Sequence, residues 1–366
     1  MGFLLLIIIL GVVVVVHEYG HYITAKIFGV KVEEFGFGFP PRAKKLFKRG
    51  ETLFTLNWIP FGGFVKLLGE NPDDAQRLDE DQTRNMNHKP RYQQALILVA
   101  GVFMNFLLAG VLFSIGFMSG LPVSIDQNNT TATNRHVIIS SVQKDSPAQL
   151  AGLPAGVRLV SLDGDELPAS TISTTQSYIS AHVGTPVVVG YTEDGKALHT
   201  TTITPKENLA AQGRAGIGVT LDFTGEIRLP FFKAVKEGFA TAGRMVANIF
   251  VFFVKFIGSL FGAASTGVSG DDVTGPVGIA GLAAQALKLG WVYLITFVAI
   301  ISANLAVLNL IPFPALDGGR LLFLGIEAIT RKKLNEKVVG WVNTIGFGLL
   351  ILLMLFVTYK DIVKLF

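Results

Sequence analysis

The chain has 366 residues, half of them hydrophobic and only 16% charged, a balance too apolar for an ordinary soluble protein although clearly polar stretches remain. Its formal charge of +4 would suit nucleic acid, but the basic residues cluster beside apolar segments instead of forming a stripe with interleaved aromatics. They read as topology signals, and no nucleic-acid partner is expected. With no cysteine in the chain, disulfides, iron–sulfur clusters and thiolate zinc sites are excluded, so any metal must be held by His, Asp or Glu.

The first predicted element is a membrane span. Residues 1–16 carry no polar side chain, and the apolar character continues to about residue 27, long enough to cross a bilayer. A cleaved signal peptide would show a basic start and a small-residue cleavage site, and neither is present. Inside this span stands His17-Glu18-Tyr19-Gly20-His21. On a helix its two imidazoles lie about 40° apart around the axis and about 6 Å apart along it, so both can reach one ion. Glu18 projects from the neighbouring face. Ionisable groups are costly in a bilayer, and three within five positions need a reason.

Residues 32–68 follow with two β-prone runs, 34–39 and 52–58, and a third at 64–67, broken by Gly and Pro pairs. Hairpin-like strands packed at the membrane fit this pattern better than a helix does, since irregular backbone at that depth needs protein or a watery cavity beside it. The acidic run 70–81 reads as a solvated loop without function. A second span is predicted at 92–118.

Next comes a small β-rich domain. Residues 136–142 are strand-like, and 186–191 and 197–204 flank Glu193-Asp194-Gly195, a hairpin signal. Between them, residues 146–167 include Ala-Gly-Leu and Gly-Val-Arg-Leu-Val-Ser-Leu-Asp-Gly, which resembles the core of a PDZ domain, a module that binds extended peptide by adding it to a sheet edge. Residues 231–261 are aromatic-rich but carry Lys233, Lys236, Arg244 and Lys255, the pattern of an amphipathic helix lying on a membrane surface. Two more spans are predicted at 289 to about 313 and at 338–358.

Lys and Arg number 12 in residues 22–92 and 5 in residues 318–337, but only 7 in the long stretch 119–230. The positive-inside rule places both dense loops in the cytosol and the middle domain outside. The expected fold is thus a polytopic α-helical membrane protein of four transmembrane helices, with both termini extracytoplasmic. It carries membrane-associated β-hairpins and an inserted β-rich PDZ-like domain. The parts are expected at 1–118 for the first membrane part, 135–206 for the PDZ-like domain, 207–288 for a connecting region and 289–366 for the second membrane part.

Two imidazoles leave zinc short of its usual three protein ligands. The other four histidines, His88, His136, His182 and His199, lie outside the spans, which leaves carboxylates. Asp317 stands immediately after the third span, which ends, like the first, on the cytosolic side, so it can share a level with His17 and His21. Taken alone, an Asp before Gly318 and Gly319 is also an ordinary helix-end turn. Pro312 and Pro314 break the helix before it.

HEYGH, then "FGFGFPP" and "GGFVKLLGE", a PDZ-like insert, "TGPVGIA" and "NLAVLNLIPFPALDGGR" together resemble the site-2 proteases, most nearly the bacterial regulator-of-sigma-E protease group. The resemblance covers nearly the whole chain in the family's order. It implies an intramembrane zinc metalloprotease with His17, His21 and Asp317 binding zinc and Glu18 acting as general base. It further implies that Asn309 helps hold the substrate, with Asn304 in the same role, and that the hairpin supplies an edge strand. Substrates would be single-span membrane proteins such as anti-sigma factors or signal-peptide remnants, already shortened by another protease, with the PDZ-like domain restricting access. A single PDZ-like unit departs from the two in tandem that relatives carry. Two other classes stay open, a catalytically silent relative that binds membrane proteins and a membrane-anchored peptide-binding scaffold.

Overall fold

The computed structural model describes residues 2–70, 82–125, 132–166, 172–193, 197–207, 215–260 and 275–363. It divides into two compact units, one made of Met1–Gly116 with Phe231–Phe366, the other of Phe117–Pro230.

In the first unit, helix α1 (Gly2–Ile27) buries Leu6, Ile9, Val13, His17, Gly20 and His21. These recur at three- and four-residue spacing, so the two histidines sit on the stripe that faces protein. The chain then enters β1 (Val32–Arg49) and β2 (Thr52–Leu67), which pair antiparallel. Register breaks fold the two long strands into shorter stretches: Gly36 lies opposite both Thr55 and Phe64, and Phe35 opposite both Phe54 and Val65. The stretch around residues 34–37 is therefore interior. Residues 63–67 have a β neighbour on one side only and pack against α1, where a β-carbon on Gly63 would lie 3.5 Å from Glu18 Cγ and 3.6 Å from Val14 Cγ1.

Helix α2 (Arg91–Ser119) returns alongside α1, with Ile97 and Gly101 at His21 and Asn105 at His17, so the two are antiparallel. After the second unit come α5 (Phe231–Leu260), α6 (Pro276–Leu289), α7 (Trp291–Leu310), α8 (Asp317–Thr330) and α9 (Glu336–Val363). Ile9 and Val13 of α1 pack in one cluster with Leu294, Phe297, Val298 and Ile301 of α7, while His17 meets Asn309 further on, so α1 and α7 run in the same direction. At one end of α9, Asn343 receives the Ala315 N–H; at the other, the buried Asp361 carboxylate accepts the N–H groups of Gly275 (3.0 Å) and Gly278 (2.9 Å) at the start of α6. Asp361 thereby caps a helix whose own N-cap, Gly275, has no side chain to do so. α9 runs opposite to α7.

Among the described residues, five helices are long and apolar enough to cross a membrane: α1, α2, α7, Lys337–Val363 of α9, and Phe231–Lys255 of α5. The fifth is the helix read from sequence as lying on the surface. Its Gly238 and Phe239 pack on Ser114 and Gly110 of α2, and length and composition alone set it beside the other four.

The second unit holds a seven-stranded sheet in the order β3–β9–β4–β5–β7–β8, with β6 on β5, built from β3 (Leu121–Ser124), β4 (Thr133–Val142), β5 (Val157–Leu162), β6 (Asp165–Glu166), β7 (Val187–Thr192), β8 (His199–Ile203) and β9 (Val219–Ile227). Helices α3 (Pro147–Leu150) and α4 (Ile172–Ala181) complete it. Ser146 caps α3 by accepting the Gln149 N–H, with proline at the first helical position. Alternate residues Val157, Leu159, Val187 and Val189 point into a core with Ile139, Ile179, Ile203 and Phe223. Asp163, in the turn after β5, accepts the Val188 N–H and the Tyr178 hydroxyl, both at 2.7 Å, and these bonds hold its carboxyl below the usual range. The unit reaches beyond residues 135–206 on both sides because β3 and β9 belong to the same sheet. β7 and β8 pair as a hairpin would; the Asp194-Gly195 signal between them lies outside the described residues, as do 71–81 of the acidic run and Thr274 of "TGPVGIA".

Candidate metal centre

His17 and His21 project from the buried stripe of α1 and Asp317 from the first residue of α8, and their donor atoms converge. His17 Nε2 lies 2.9 Å from Asp317 Oδ2 and 3.1 Å from His21 Nε2, which is itself 3.2 Å from the same carboxylate oxygen. It is the one cluster of three possible metal-binding side chains among the described residues.

The path that brings Asp317 here is local chemistry at the end of α7. Pro312 and Pro314 offer no N–H to continue the helix, and the chain turns through Ala315 at φ +71°. Gly318 and Gly319 are both buried, and a β-carbon on them would stand 2.2 Å from the carbonyl oxygens of Ile311 and Phe313. Only glycine lets α8 start this close beneath the end of α7, and that start sets the depth of Asp317. Arg320 on the next turn pairs with Glu70 at 2.5 Å, tying α8 to the end of the hairpin region.

The donor set fits zinc. Two donors held about 2.0–2.1 Å from a tetrahedral zinc stand about 3.3 Å from each other, close to the three separations found. His21 Nδ1 lies 2.8 Å from the Ile97 carbonyl oxygen. A carbonyl can only accept, so Nδ1 carries the proton and Nε2 presents its lone pair to the cluster, the arrangement of a ligating histidine. Three lone-pair atoms this close repel one another without a cation or shared protons between them.

Glu18 lies beside this cluster, against the 63–67 edge, where a backbone hydrogen bond from Val65 reaches its carboxyl. Asn309 brings its Nδ2 to 3.3 Å from His17 Nε2. Asn304 stands on the same helix, and its Nδ2 donates to the Ile300 carbonyl at 2.9 Å. Two residues of α2 escaped the sequence reading. Gly101 lies directly under the imidazoles, and Asn105 stands 3.3 Å from His17 Nδ1. Asn105 left a signal, being the one amide in the apolar stretch 95–113, where a buried amide seeks a partner on another helix.

The chain is similar to proteins named as zinc metalloproteases. A Clostridium perfringens protein provisionally named a zinc metalloprotease is 36% identical over 361 residues, covering 96% of this chain and 95% of its own. The zinc metalloprotease RasP of Geobacillus kaustophilus is 29% identical over 98% of this chain and 97% of its own. Among solved structures, the PDZ domain of an SdrC-like protein from Listeria monocytogenes aligns with 24% of this chain and 86% of its own, at 29% identity and a TM-score of 0.21. The profile of peptidase family M50 matches residues 5–353, and the chain belongs to that family.

Proposed function

We propose that this zinc metalloprotease cuts peptide bonds within or beside the transmembrane segments of membrane proteins. The observation that carries the reading is the convergence of two histidines from an apolar helix with an aspartate from the α7–α8 junction, three donor atoms 2.9 to 3.2 Å apart with Glu18 alongside.

In this reading four helices, α1, α2, α7 and α9, cross the cell membrane. Their alternating directions support that count, and the charge-dense loops put the metal centre near the cytosolic side with both termini and the PDZ-like domain outside. The start of α7 lies on the side where α2 ends, so a full crossing by α5 would need a return crossing before α6, whose first residues already sit beside Asp361. The division follows: two membrane parts that share the site, a PDZ-like domain and a connecting region between it and α7.

Zinc, when bound, supplies a Lewis acid that acidifies water and polarises a carbonyl. His17, His21 and Asp317 hold it. Glu18, within reach of the same space, takes the proton from the attacking water and later delivers one to the leaving amine. A helical substrate hides its carbonyls in its own hydrogen bonds, so the segment to be cut must be extended first. The 63–67 edge has a β neighbour on one side only and lies against Glu18, so strand addition there would bring an extended substrate to the site, and Asn309 donates from Nδ2 to the substrate backbone. Asn304, on the same helix, assists in the same way. Substrates are single-span proteins already trimmed by another protease, such as anti-sigma factors or signal-peptide remnants, and the PDZ-like domain screens what approaches. The bilayer is the working solvent, and nucleic acid is not a partner.

The test is cleavage of a single-span peptide by the purified protein and by Glu18→Gln, with zinc measured in both. Equal zinc and a loss of about 10²–10⁴-fold in rate are expected for the variant. Bound zinc with cleavage independent of Glu18 would sink the reading.

A further inference from the structure

Asn105 of α2 is fully buried, and its Oδ1 has no hydrogen-bond partner although its Nδ2 lies 3.3 Å from His17 Nδ1. An orphaned acceptor beside a metal-binding imidazole is costly to bury. In this orientation Nδ2, which can only donate, demands a lone pair on His17 Nδ1 and so sends the ring proton to Nε2. Yet Nε2 is the atom aimed at Asp317 and His21. A histidine that offers Nε2 to a metal carries its proton on Nδ1 and needs an acceptor there.

The two ends of a primary amide have the same shape, so a half-turn about Cβ–Cγ exchanges Oδ1 and Nδ2 without moving anything else. That exchange gives the orphaned oxygen a partner and gives His17 the tautomer that a metal requires. His21 already shows the same device with a backbone acceptor, the Ile97 carbonyl at 2.8 Å. Asn105 is firmly placed for the task, because its own carbonyl accepts the hydroxyl of fully buried Ser302 in α7 at 2.8 Å.

We propose that Asn105 is the positioning residue of His17: its Oδ1 accepts the Nδ1 proton, fixing the ring with Nε2 facing the metal. The proposal rests on the zinc reading of the cluster. It is tested by zinc affinity of the full-length protein in detergent, measured by competition with a chromophoric chelator, for wild type, Asn105→Leu and Asn105→Asp. Leucine keeps the volume and loses the acceptor; aspartate keeps the acceptor and makes a carboxylate–histidine–zinc chain. Asn105→Leu is expected to bind zinc about 10–100-fold more weakly and Asn105→Asp to stay near wild type, while zinc-free wild type and Asn105→Leu melt alike. Equal affinity in wild type and Asn105→Leu overturns the proposal, and so does an equal loss in both variants. Should the leucine variant fail to fold, the ¹⁵N signals of His17 in zinc-loaded wild type decide. A protonated Nδ1 is expected, and a protonated Nε2 contradicts the assignment. A wild type that binds no zinc overturns the metal reading itself, an outcome distinct from the others.

Discussion

At Gly101 a β-carbon would stand 2.4 Å from His21 Nε2 and 2.7 Å from His17 Cε1. The floor of the metal centre is bare backbone, and the imidazoles can occupy their places only because no side chain is there. Gly101→Ala is expected to push at least one imidazole out of line and to lower zinc affinity at least 10-fold, a loss of the size that follows from disturbing a ligand's support; chelator competition reads it, and unchanged affinity would count against this geometry. The histidine pair was legible in the sequence because i, i+4 spacing inside an apolar span is a local pattern. Gly101 was not, since a glycine in a membrane helix has many uses and only the position of α2 against α1 selects one. Asp317 fell between the two, visible as a carboxylate at the right depth but convincing only once both helices were oriented and the order of motifs was read together.

The β1–β2 region shows what periodicity can and cannot give. The three β-prone runs at 34–39, 52–58 and 64–67 are all strand, but their order in space is set by register breaks that no local signal announces. The structure puts 52–58 inside, with Thr55 buried and donating to Glu34 Oε1 at 2.6 Å, and puts 63–67 on an edge beside Glu18. A proline at Thr55 would therefore break the sheet itself, whereas one at Val65 removes the outward N–H that reaches Glu18. Val65→Pro is expected to slow cleavage of a single-span substrate at least 10-fold with zinc content unchanged, as when a donor acting at a reacting centre is lost. Cleavage at the wild-type rate would remove the edge from the mechanism. The α7–α8 junction was more readable, because two prolines and two glycines state both where the helix ends and how closely the next begins.

Across the whole molecule the decisive property is direction. α1 and α7 run the same way and α2 and α9 the other, so the site unites the first span with a helix end nearly 300 residues away. Basic-residue density carried that parity in the sequence, because long, apolar helices and short charged loops leave few topologies open. α5 resisted the same reading: it is long enough to span yet carries Lys and Arg at intervals, and its packing on α2 depends on Gly238 and Gly110, which hydropathy does not register. β3 and β9 lie outside the stretch 135–206 that resembles a PDZ core yet join its sheet, a pairing no local signal announces. The central claim is that one metal ion is shared between these distant segments, and zinc content of the purified wild type and of Asp317→Ala tests it most directly. Zinc retained through purification by the wild type and lost by Asp317→Ala is the predicted result; an Asp317→Ala protein that keeps as much zinc as the wild type would contradict it.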